Sequence, residues 1–211
     1  MKLHTGLLFV IAAICFLGAA GIALSASGAD NAKCVPTVAV EKSHRTKMKH
    51  RIVFPPTTVP LTVGELLGWA PPTGFADKNV RKRDEPIDPR EANAYTVDAI
   101  VYLAKLSEDD CDIHMELGLS PTERFVVEIP NNATFTTARA EIERLLGKPL
   151  TENPIRPTKV VRVTVSGMAF WDSSHFATKD TRRGFNHGSA AVQTLWELHP
   201  VFSAKAVAPP K

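Results

Sequence analysis

Short runs in which apolar and polar residues alternate dominate the second half of the chain and predict β-strands. Between Cys111 and Leu117, the apolar residues Ile113, Met115 and Leu117 point to one face and the polar residues between them to the other. The other runs are rich in the β-branched and aromatic residues that strands favour. The predicted strands are Tyr95–Leu106, Cys111–Leu117, Arg124–Ile129, Lys159–Phe170 and Thr194–Val201.

The period of the hydrophobic pattern changes to about 3.6 residues between the third and the fourth predicted strand. The apolar residues that fall on one helical stripe there are Ala138, Ile142, Leu145 and Leu146. Gly147 follows, at a position where helices commonly end. The pattern therefore predicts a helix over 136–146.

The predicted elements follow the order three strands, helix, strand, long loop and strand. A five-stranded Greek-key barrel of the OB type has a single helix between strands three and four. It binds ligands on the face of strands two and three and on the loops L12 and L45. We therefore expect a mainly β, OB-like barrel domain over residues 94–203 and a disordered tail over 204–211. Another small β-barrel, or a sandwich with an inserted helix, is the alternative.

The first 29 residues have the pattern of an export signal. Lys2 supplies a positive charge, residues 6–24 are apolar and uncharged, and Ser27 and Ala29 fit an A-x-A-like cleavage site. We expect cleavage after Ala29 and a periplasmic or extracellular location. An uncleaved anchor is the alternative, since the apolar run approaches the roughly 20 residues that span a bilayer. Membrane contact is expected only through this segment, if it is retained.

Residues 30–93 predict a basic, proline-rich arm that precedes the barrel. Its N-terminal part holds a basic cluster, formed by Lys42, His44, Arg45, Lys47, Lys49, His50 and Arg51. We interpret this cluster as a solvated tether, and contact with anionic lipid, cell-wall polymer or nucleic acid is the alternative. Further along, a capping-box sequence at 62–65 predicts a short helix, which we expect to dock on the domain through its apolar residues.

Two cysteines remain after the predicted cleavage, Cys34 and Cys111. In an oxidising compartment they could form a disulfide that ties the arm to the barrel, and two separate thiols are the alternative. The chain has no C-x-x-C pair. Thioredoxin-like redox chemistry and a cysteine zinc ribbon are therefore disfavoured.

Polar residues of the predicted strands, and of the loop between strands four and five, are the candidates for chemistry. They are of the types that bind metals or transfer protons, and residues spaced by two lie on one face of a strand. Those on the strands are Asp112, His114, Glu116, Glu128, Glu197 and His199, and those in the loop are Asp172, His175 and His187.

Within this set we distinguish candidate metal ligands from candidate general bases. The predicted ligands of a divalent metal such as zinc are Asp112, His114, Asp172, His175 and His199. The predicted bases are Glu128 and Glu197. No fixed-spacing metal motif occurs, so the alternative is a set of hydrogen-bonding residues on a solvated sheet face.

Several other functional classes lack support. The chain has no G-x-S-x-G elbow, phosphate-binding loop or dinucleotide fingerprint, so no nucleotide cofactor is expected. Single-stranded nucleic-acid binding would suit the fold and a second group of basic residues, Arg81, Lys82, Arg83, Arg182 and Arg183. Nucleic acid is nevertheless disfavoured as a partner, because carboxylates on the expected ligand face would repel phosphates and the net charge is only +3.

Four short motifs resemble a group of uncharacterised bacterial exported proteins that share an OB-like domain. The group's signatures are D-x-H, E-I-P, G-x-x-F-x-D-x-x-H and E-[IL]-H-P, which match this chain at 112–114, 128–130, 167–175 and 197–200. The resemblance covers 95–202 and implies that the polar residues of the motifs form one neighbourhood. No activity is assigned to the group, so the resemblance implies no reaction.

These observations favour an exported binding or interaction module of the cell envelope, with an unidentified ligand or envelope partner. A metal-dependent hydrolase of a phosphodiester or similar ester is the first alternative. Single-stranded nucleic-acid binding is the second alternative. Whether the protein is an enzyme is left open at this point.

Overall fold

Six β-strands and three α-helices occur within the residues that the computed structural model describes, namely Cys34, 45–75, 83–176 and 184–207. The strands are β1 (Thr58–Pro60), β2 (Ala94–Leu106), β3 (Ile113–Ser120), β4 (Glu123–Ile129), β5 (Arg162–Trp171) and β6 (Val192–Ala206). The helices are α1 (Thr46–Lys49), α2 (Val63–Leu67) and α3 (Thr136–Leu146), and 3₁₀ turns span Pro89–Ala92, Ala133–Phe135 and Ser173–His175. The prediction of a mainly β protein is confirmed.

The strands pair in the order β1-β2-β3-β4-β6-β5, and β5 pairs in turn with β2. The β1–β2 and β4–β6 pairs are parallel, and the other pairs are antiparallel. The length of β2 lets it serve two partners, since residues 94–100 pair with β5 and residues 100–106 with β3. In the chain, α3 lies between β4 and β5, as the change of period predicts.

Both faces of β3 are buried, which differs from the predicted half-buried strand. Ile113, Met115 and Leu117 are fully buried, as their spacing predicts. His114 and Glu116 on the opposite face are also exposed by only 7% and 1%. The alternative of a solvated sheet face is therefore wrong for these residues. Their burial requires that other elements supply hydrogen bonds and opposite charges.

The two longer helices agree with the local signals in the sequence. At the start of α2, the Glu65 amide donates to Thr62 Oγ1 (3.2 Å) and the Thr62 amide donates to the Glu65 carboxylate (2.8 Å), which completes the predicted capping box. The helix buries Val63 and Leu66 in the core. After α3, Gly147 has φ = 71°, in the left-handed region where a glycine ends a helix without steric cost.

The last strand is longer than predicted. β6 continues through Ala206, and the pairs Val163–Ala206 and Val165–Ala204 join its end to β5. Residues 204–206 therefore belong to the sheet and not to a disordered tail, because β5 provides partners for their backbone groups. The predicted export signal at 1–29 and the residues 208–211 lie outside the described part of the chain.

Among the described residues, no helix has both the length and the apolar character that crossing a membrane requires.

The predicted disulfide joins Cys34 to Cys111, with a sulfur–sulfur distance of 2.06 Å. Cys111 directly precedes Asp112, one of the predicted metal ligands. The bond therefore ties the N-terminal arm to the chain at the start of β3.

A buried ion pair fixes the segment that carries α1. Arg45 is exposed by 1% and Glu91 by 0%, and each terminal nitrogen of Arg45 lies 2.7 Å from a Glu91 oxygen. Arg45 also donates to the carbonyl oxygens of Arg83, Glu85 and Trp171. Such complete partnering allows a charged pair to be buried. The interpretation of the basic cluster as a solvated tether is therefore wrong for residues 45–50.

We expect Glu91→Gln to lower the free energy of unfolding by about 3–5 kcal/mol, because it leaves the Arg45 guanidinium buried without its counter-charge. Urea denaturation followed by tryptophan fluorescence measures this quantity. The matched control is Glu141→Gln, which removes the partner of the exposed Arg144 on α3. We expect no measurable change there, since exposed pairs contribute little. Similar losses in both variants would contradict a special role for the buried pair.

Candidate functional site

Three neighbouring strands bring most of the predicted polar residues together. On β3 and β4, His114 and Glu128 are register partners in the antiparallel ladder. On the other side of β4, the parallel strand β6 carries Glu197 and His199. Because these residues lie on adjacent strands, their side chains meet, as the spacing of two in each strand predicts.

Glu128 links two of the candidate histidines. Its Oε1 lies 2.9 Å from His114 Nδ1, and its Oε2 lies 3.0 Å from His199 Nδ1. Glu128 itself is exposed by only 6%. One carboxylate oxygen accepts a hydrogen bond from His114 and the other lies beside His199, so Glu128 connects β3 to β6 across β4.

Asp112 extends this chain of contacts to the N-terminal arm. Its Oδ2 lies 3.4 Å from His199 Nε2 and 3.2 Å from His50 Nε2. Its Oδ1 accepts a hydrogen bond from the backbone amide of Asn131 at 2.8 Å. His50 is a site residue that the sequence did not predict, because nothing in the local pattern indicates that the basic segment folds back onto β3.

A second group of contacts surrounds Asp172, which directly follows β5. Its Oδ2 lies 2.6 Å from His175 Nδ1 and 3.8 Å from Lys49 Nζ. The rings of His175 and His187 are 4.1 Å apart between centroids, and His187 Nε2 lies 2.7 Å from Glu197 Oε1. His187 therefore joins the two groups, although the predicted ligand set omits it. We call the whole set the His/carboxylate cluster: Asp112, His114, Glu128, Asp172, His175, His187, Glu197 and His199.

Several atoms at the centre of the cluster are close together without forming hydrogen bonds. His187 Nε2 and Glu197 Oε1 are 2.7 Å apart, and His199 Nδ1 and Glu197 Oε2 are 3.6 Å apart. Among the described residues, none of these four atoms has a hydrogen bond of acceptable geometry, and the same holds for His199 Nε2. The shorter of these distances would allow a hydrogen bond, but the angle between donor and acceptor does not, and a misaligned donor contributes little. Nitrogen and carboxylate atoms converge in this way around a metal ion.

Four sets of three side chains have ligand atoms that all lie within 4.8 Å of one another. The sets are His50/Asp112/His199, His114/Glu128/His187, Asp172/His175/His187 and Glu128/Glu197/His199. In a tetrahedral zinc site with bonds of about 2.0–2.1 Å, ligand atoms stand about 3.3 Å apart. Small side-chain adjustments would therefore bring any one of these sets to the geometry of a zinc site. All five predicted metal ligands occur among them.

A cleft of about 850 Å³ opens onto the cluster. The cluster residues that line it are His114, Glu128, His175 and His187, and Lys49 lies beside them. The remaining charged residues of the lining are Lys105, Glu108, Asp109, Asp110, Glu116, Glu152 and Arg156. The cleft has the size of a small-molecule site, and carboxylates outnumber cations in its lining.

Glu116 holds the loop that carries His187 and lies beside the cluster. Its carboxylate accepts hydrogen bonds from the backbone amide and the Oγ of Ser189, both at 2.6 Å. It also accepts from Arg124 at 2.9 Å. Ser189 is two residues after His187, so these bonds set the position of the His187 ring at the cleft.

The cluster places four carboxylates in the protein interior, those of Asp112, Glu128, Asp172 and Glu197. Burial alone would raise the pKa of such groups. For Glu128, the neighbouring His199 and His114 outweigh burial and hold its pKa well below the usual range. For Asp172, Lys49 and His175 outweigh burial and lower the pKa in the same way. Both groups are therefore negatively charged at neutral pH.

The buried imidazoles shift in the opposite direction. Burial lowers the pKa of His187, but the charge of Glu197 outweighs burial and raises the pKa to about 9. The pKa of His199 is raised well above its usual value, since Glu128 and Asp112 outweigh burial there. Without a metal, protonated imidazoles therefore balance the carboxylates. A divalent cation could supply the same charge.

A weak structural likeness links this chain to one crystal structure, described as that of an aspartyl-tRNA synthetase from Leishmania major Friedlin. The likeness covers 75% of this chain and 22% of that chain, at 12% identity and a TM-score of 0.35. A likeness at this level supports no inference about fold or activity. No protein-family model matches the chain, and no curated protein matches it.

We expect the metal-free protein to lose stability as the pH rises from 6.5 to beyond 9. The pKa of His187 is about 6.5 when unfolded and about 9 in the fold. A group whose pKa is higher in the folded state stabilises the fold. This stabilisation is complete at a pH below the unfolded-state pKa and disappears as the pH rises through the folded-state pKa. The difference corresponds to about 3 kcal/mol.

Urea denaturation of EDTA-treated protein at a series of pH values measures this loss. His187→Gln should reduce the slope between pH 6.5 and 9, because glutamine cannot be protonated. Glu141→Gln provides the control, since Glu141 lies outside the cluster and has a lowered pKa, so it does not titrate between pH 6.5 and 9. An unchanged slope in His187→Gln would rule out His187 as its source.

Proposed function

We propose that β2, β3, β4, β5 and β6 form a five-stranded barrel of the OB type, with α3 between its third and fourth strands. The support is the pairing sequence, which runs from β2 through β3, β4, β6 and β5 back to β2. The parallel β4–β6 pair and the place of α3 in the chain also agree with that topology. In this arrangement β1 is an addition from the arm.

The barrel is proposed to belong to an exported binding module of the cell envelope. An apolar N-terminal run with a small-residue cleavage pattern supports export. A disulfide between Cys34 and Cys111 is consistent with an oxidising compartment, where such bonds persist. The ligand of this module is proposed to bind in the cleft, where Ser174, Gly188 and Ser189 of the loop between β5 and β6 lie beside the His/carboxylate cluster.

The module is further proposed to bind one divalent metal ion at the floor of the cleft, through His114, Glu128 and His187. The observation that carries this proposal is that ligand atoms of these three buried side chains all lie within 4.8 Å of one another, where the side chains line the cleft. Among the described residues, His187 Nε2 has no hydrogen bond of acceptable geometry, which leaves it available as a metal ligand. Two imidazoles and a carboxylate suit zinc, and they leave a fourth position for the cleft.

We expect purified protein to bind one zinc ion per chain after loading and desalting, measured by elemental analysis. The double variant His114→Ala/His187→Ala should bind zinc at least tenfold more weakly by titration calorimetry, because it removes two of three ligands. The matched imidazole control is His50→Ala, which belongs to a different set and should bind as the wild type does. Absence of zinc from the loaded wild type would overturn the proposal, and a loss confined to His50→Ala would move the site to Asp112.

Hydrolysis of an ester is the second candidate function, and the environment of His175 favours it. The Asp172 carboxylate lies 2.6 Å from His175 Nδ1, so Nδ1 donates to it and Nε2 is left as the acceptor of the neutral ring. The His175 side chain is 41% exposed and lines the cleft beside His187. It can therefore take a proton from a water molecule in the cleft, next to a metal that would act as a Lewis acid.

His175 replaces the two carboxylates that the sequence suggested as bases. Both oxygens of Glu128 already lie within 3.0 Å of histidine nitrogens, and Glu197 is fully buried. Glu197 does not line the cleft, and Glu128, which does, would be occupied as a ligand of the proposed metal. A general base has to lie within hydrogen-bond reach of the proton that it takes, which favours His175.

We expect zinc-loaded protein to hydrolyse p-nitrophenyl acetate or bis-p-nitrophenyl phosphate. The release of p-nitrophenol, followed by its absorbance, measures the reaction. His175→Ala should lower kcat by a factor of about 10² or more, a typical contribution of a general base. Its zinc content should stay at one per chain, which separates a proton-transfer role from a ligand role. Glu141→Gln on the outer face of α3 is the control and should keep full activity. If the wild type hydrolyses neither ester, a binding function without catalysis is favoured.

The acidic lining of the cleft gives no support to the third expectation, single-stranded nucleic-acid binding. A phosphate backbone would meet more carboxylates than cations there. Four of the basic residues that favoured this function, Arg81, Lys82, Arg182 and Arg183, lie outside the described residues.

A further inference from the structure

Lys49 reaches the candidate site from α1, in the basic segment that the sequence pattern predicted to be a solvated tether. It is the last residue of α1, and Arg45 at the start of that segment is held by the buried pair with Glu91. The Lys49 side chain is 12% exposed, its Nζ lies 5.5 Å from the centre of the Phe170 ring, and it lines the cleft. The fold therefore directs this ammonium group inward.

The neighbours of Lys49 Nζ are the acidic residues of the cluster. Asp172 Oδ2 lies 3.8 Å away, which is an ion pair beyond hydrogen-bond length. The same oxygen lies 2.6 Å from His175 Nδ1. Burial disfavours the charged ammonium, but Asp172, Glu128 and Glu197 outweigh burial and raise the pKa of Lys49 above its ordinary value. Lys49 thus carries a full positive charge at neutral pH.

The position of this charge matters for metal binding, because Asp172 belongs to the Asp172/His175/His187 set. A zinc ion bound to Asp172 Oδ2 would be about 2.0–2.2 Å from that oxygen. It would then lie within about 6 Å of the Lys49 ammonium, where a dication and a cation repel each other strongly in a partly buried site. The Lys49 ammonium also interacts electrostatically with Glu128 of the His114/Glu128/His187 set, but its ion pair is with Asp172.

We propose that Lys49 is a built-in counter-cation that excludes a divalent ion from the Asp172/His175/His187 set and restricts the cluster to a single metal ion. This inference rests on the proposed metal-binding function and specifies how that site is regulated. The charges agree with it: four carboxylates oppose one ammonium and one dication, which leaves a single negative charge if the imidazoles are neutral. Dinuclear hydrolases place a second metal ion about 3.5–4 Å from the first. Here the Lys49 ammonium provides the second positive charge.

The test replaces Lys49 and a neighbouring lysine that does not enter the cluster. Lys49→Met removes the charge and keeps much of the side-chain volume, and Lys49→Gln is a second, polar variant in case the first fails to fold. Lys49→Arg keeps the charge and tests rescue. Lys47→Met is the matched control, since Lys47 is an exposed residue of the same helix. Zinc and manganese are titrated separately by calorimetry, with elemental analysis of the loaded proteins.

The expected result is that Lys49→Met and Lys49→Gln bind a second ion, or bind the first at least tenfold more tightly. Lys49→Arg and Lys47→Met should match the wild type. The role of Lys49 would be overturned if both uncharged variants bound the same number of ions as the wild type and gained less than tenfold in affinity. The same gain in Lys49→Arg as in Lys49→Met would also overturn it, because the effect would then not depend on charge.

The pattern of failure separates this inference from the metal-binding function itself. If the wild type binds one ion and the uncharged variants behave identically, the metal site stands and the role of Lys49 fails. If the wild type binds none and the uncharged variants bind one, Lys49 blocks the cluster and the proposed function of the wild type fails. If neither wild type nor variants bind an ion, both proposals fail.

Discussion

The burial of four carboxylates next to one another is the constraint on which the rest of this structure depends. Asp112, Glu128, Asp172 and Glu197 are almost entirely shielded from water, so the fold has to supply positive charge and hydrogen-bond donors. Histidines from three elements and a lysine from the arm meet this demand. The same demand makes the cluster suited to a cation from solution, because imidazoles that balance charge when protonated become ligands when neutral.

The N-terminal arm is part of this solution. The Arg45 guanidinium donates hydrogen bonds to Glu91 and to backbone carbonyl oxygens, which fixes the position of α1. As a result, Lys49 lies beside Asp172 and His50 lies beside Asp112. The disulfide at Cys34 joins the arm to the start of β3, beside Asp112. An element of four residues could not hold a helical conformation alone, so these tertiary contacts stabilise it.

Local sequence patterns predicted much of the fold because they report directly on local geometry. The alternation around Ile113 and the 3.6-residue period around Ile142 depend only on neighbours in the chain. Even the meeting of His114, Glu128 and His199 followed from the spacing on strands, once their order was inferred. The folding back of residues 45–50 could not be predicted in this way. It depends on Glu91, which is 46 residues away from its partner and carries no local signal.

The position of Glu128 between two imidazoles has an evolutionary consequence. Because one oxygen of Glu128 lies beside His114 and the other beside His199, a substitution of Glu128 would remove the neighbouring negative charge from two buried rings at once. Loss of either histidine would in turn leave the buried carboxylate with one imidazole neighbour instead of two. The three positions lie on three different strands, yet they can change only together. In a set of homologous sequences they should therefore vary as one unit, whatever ligand the cleft has come to bind.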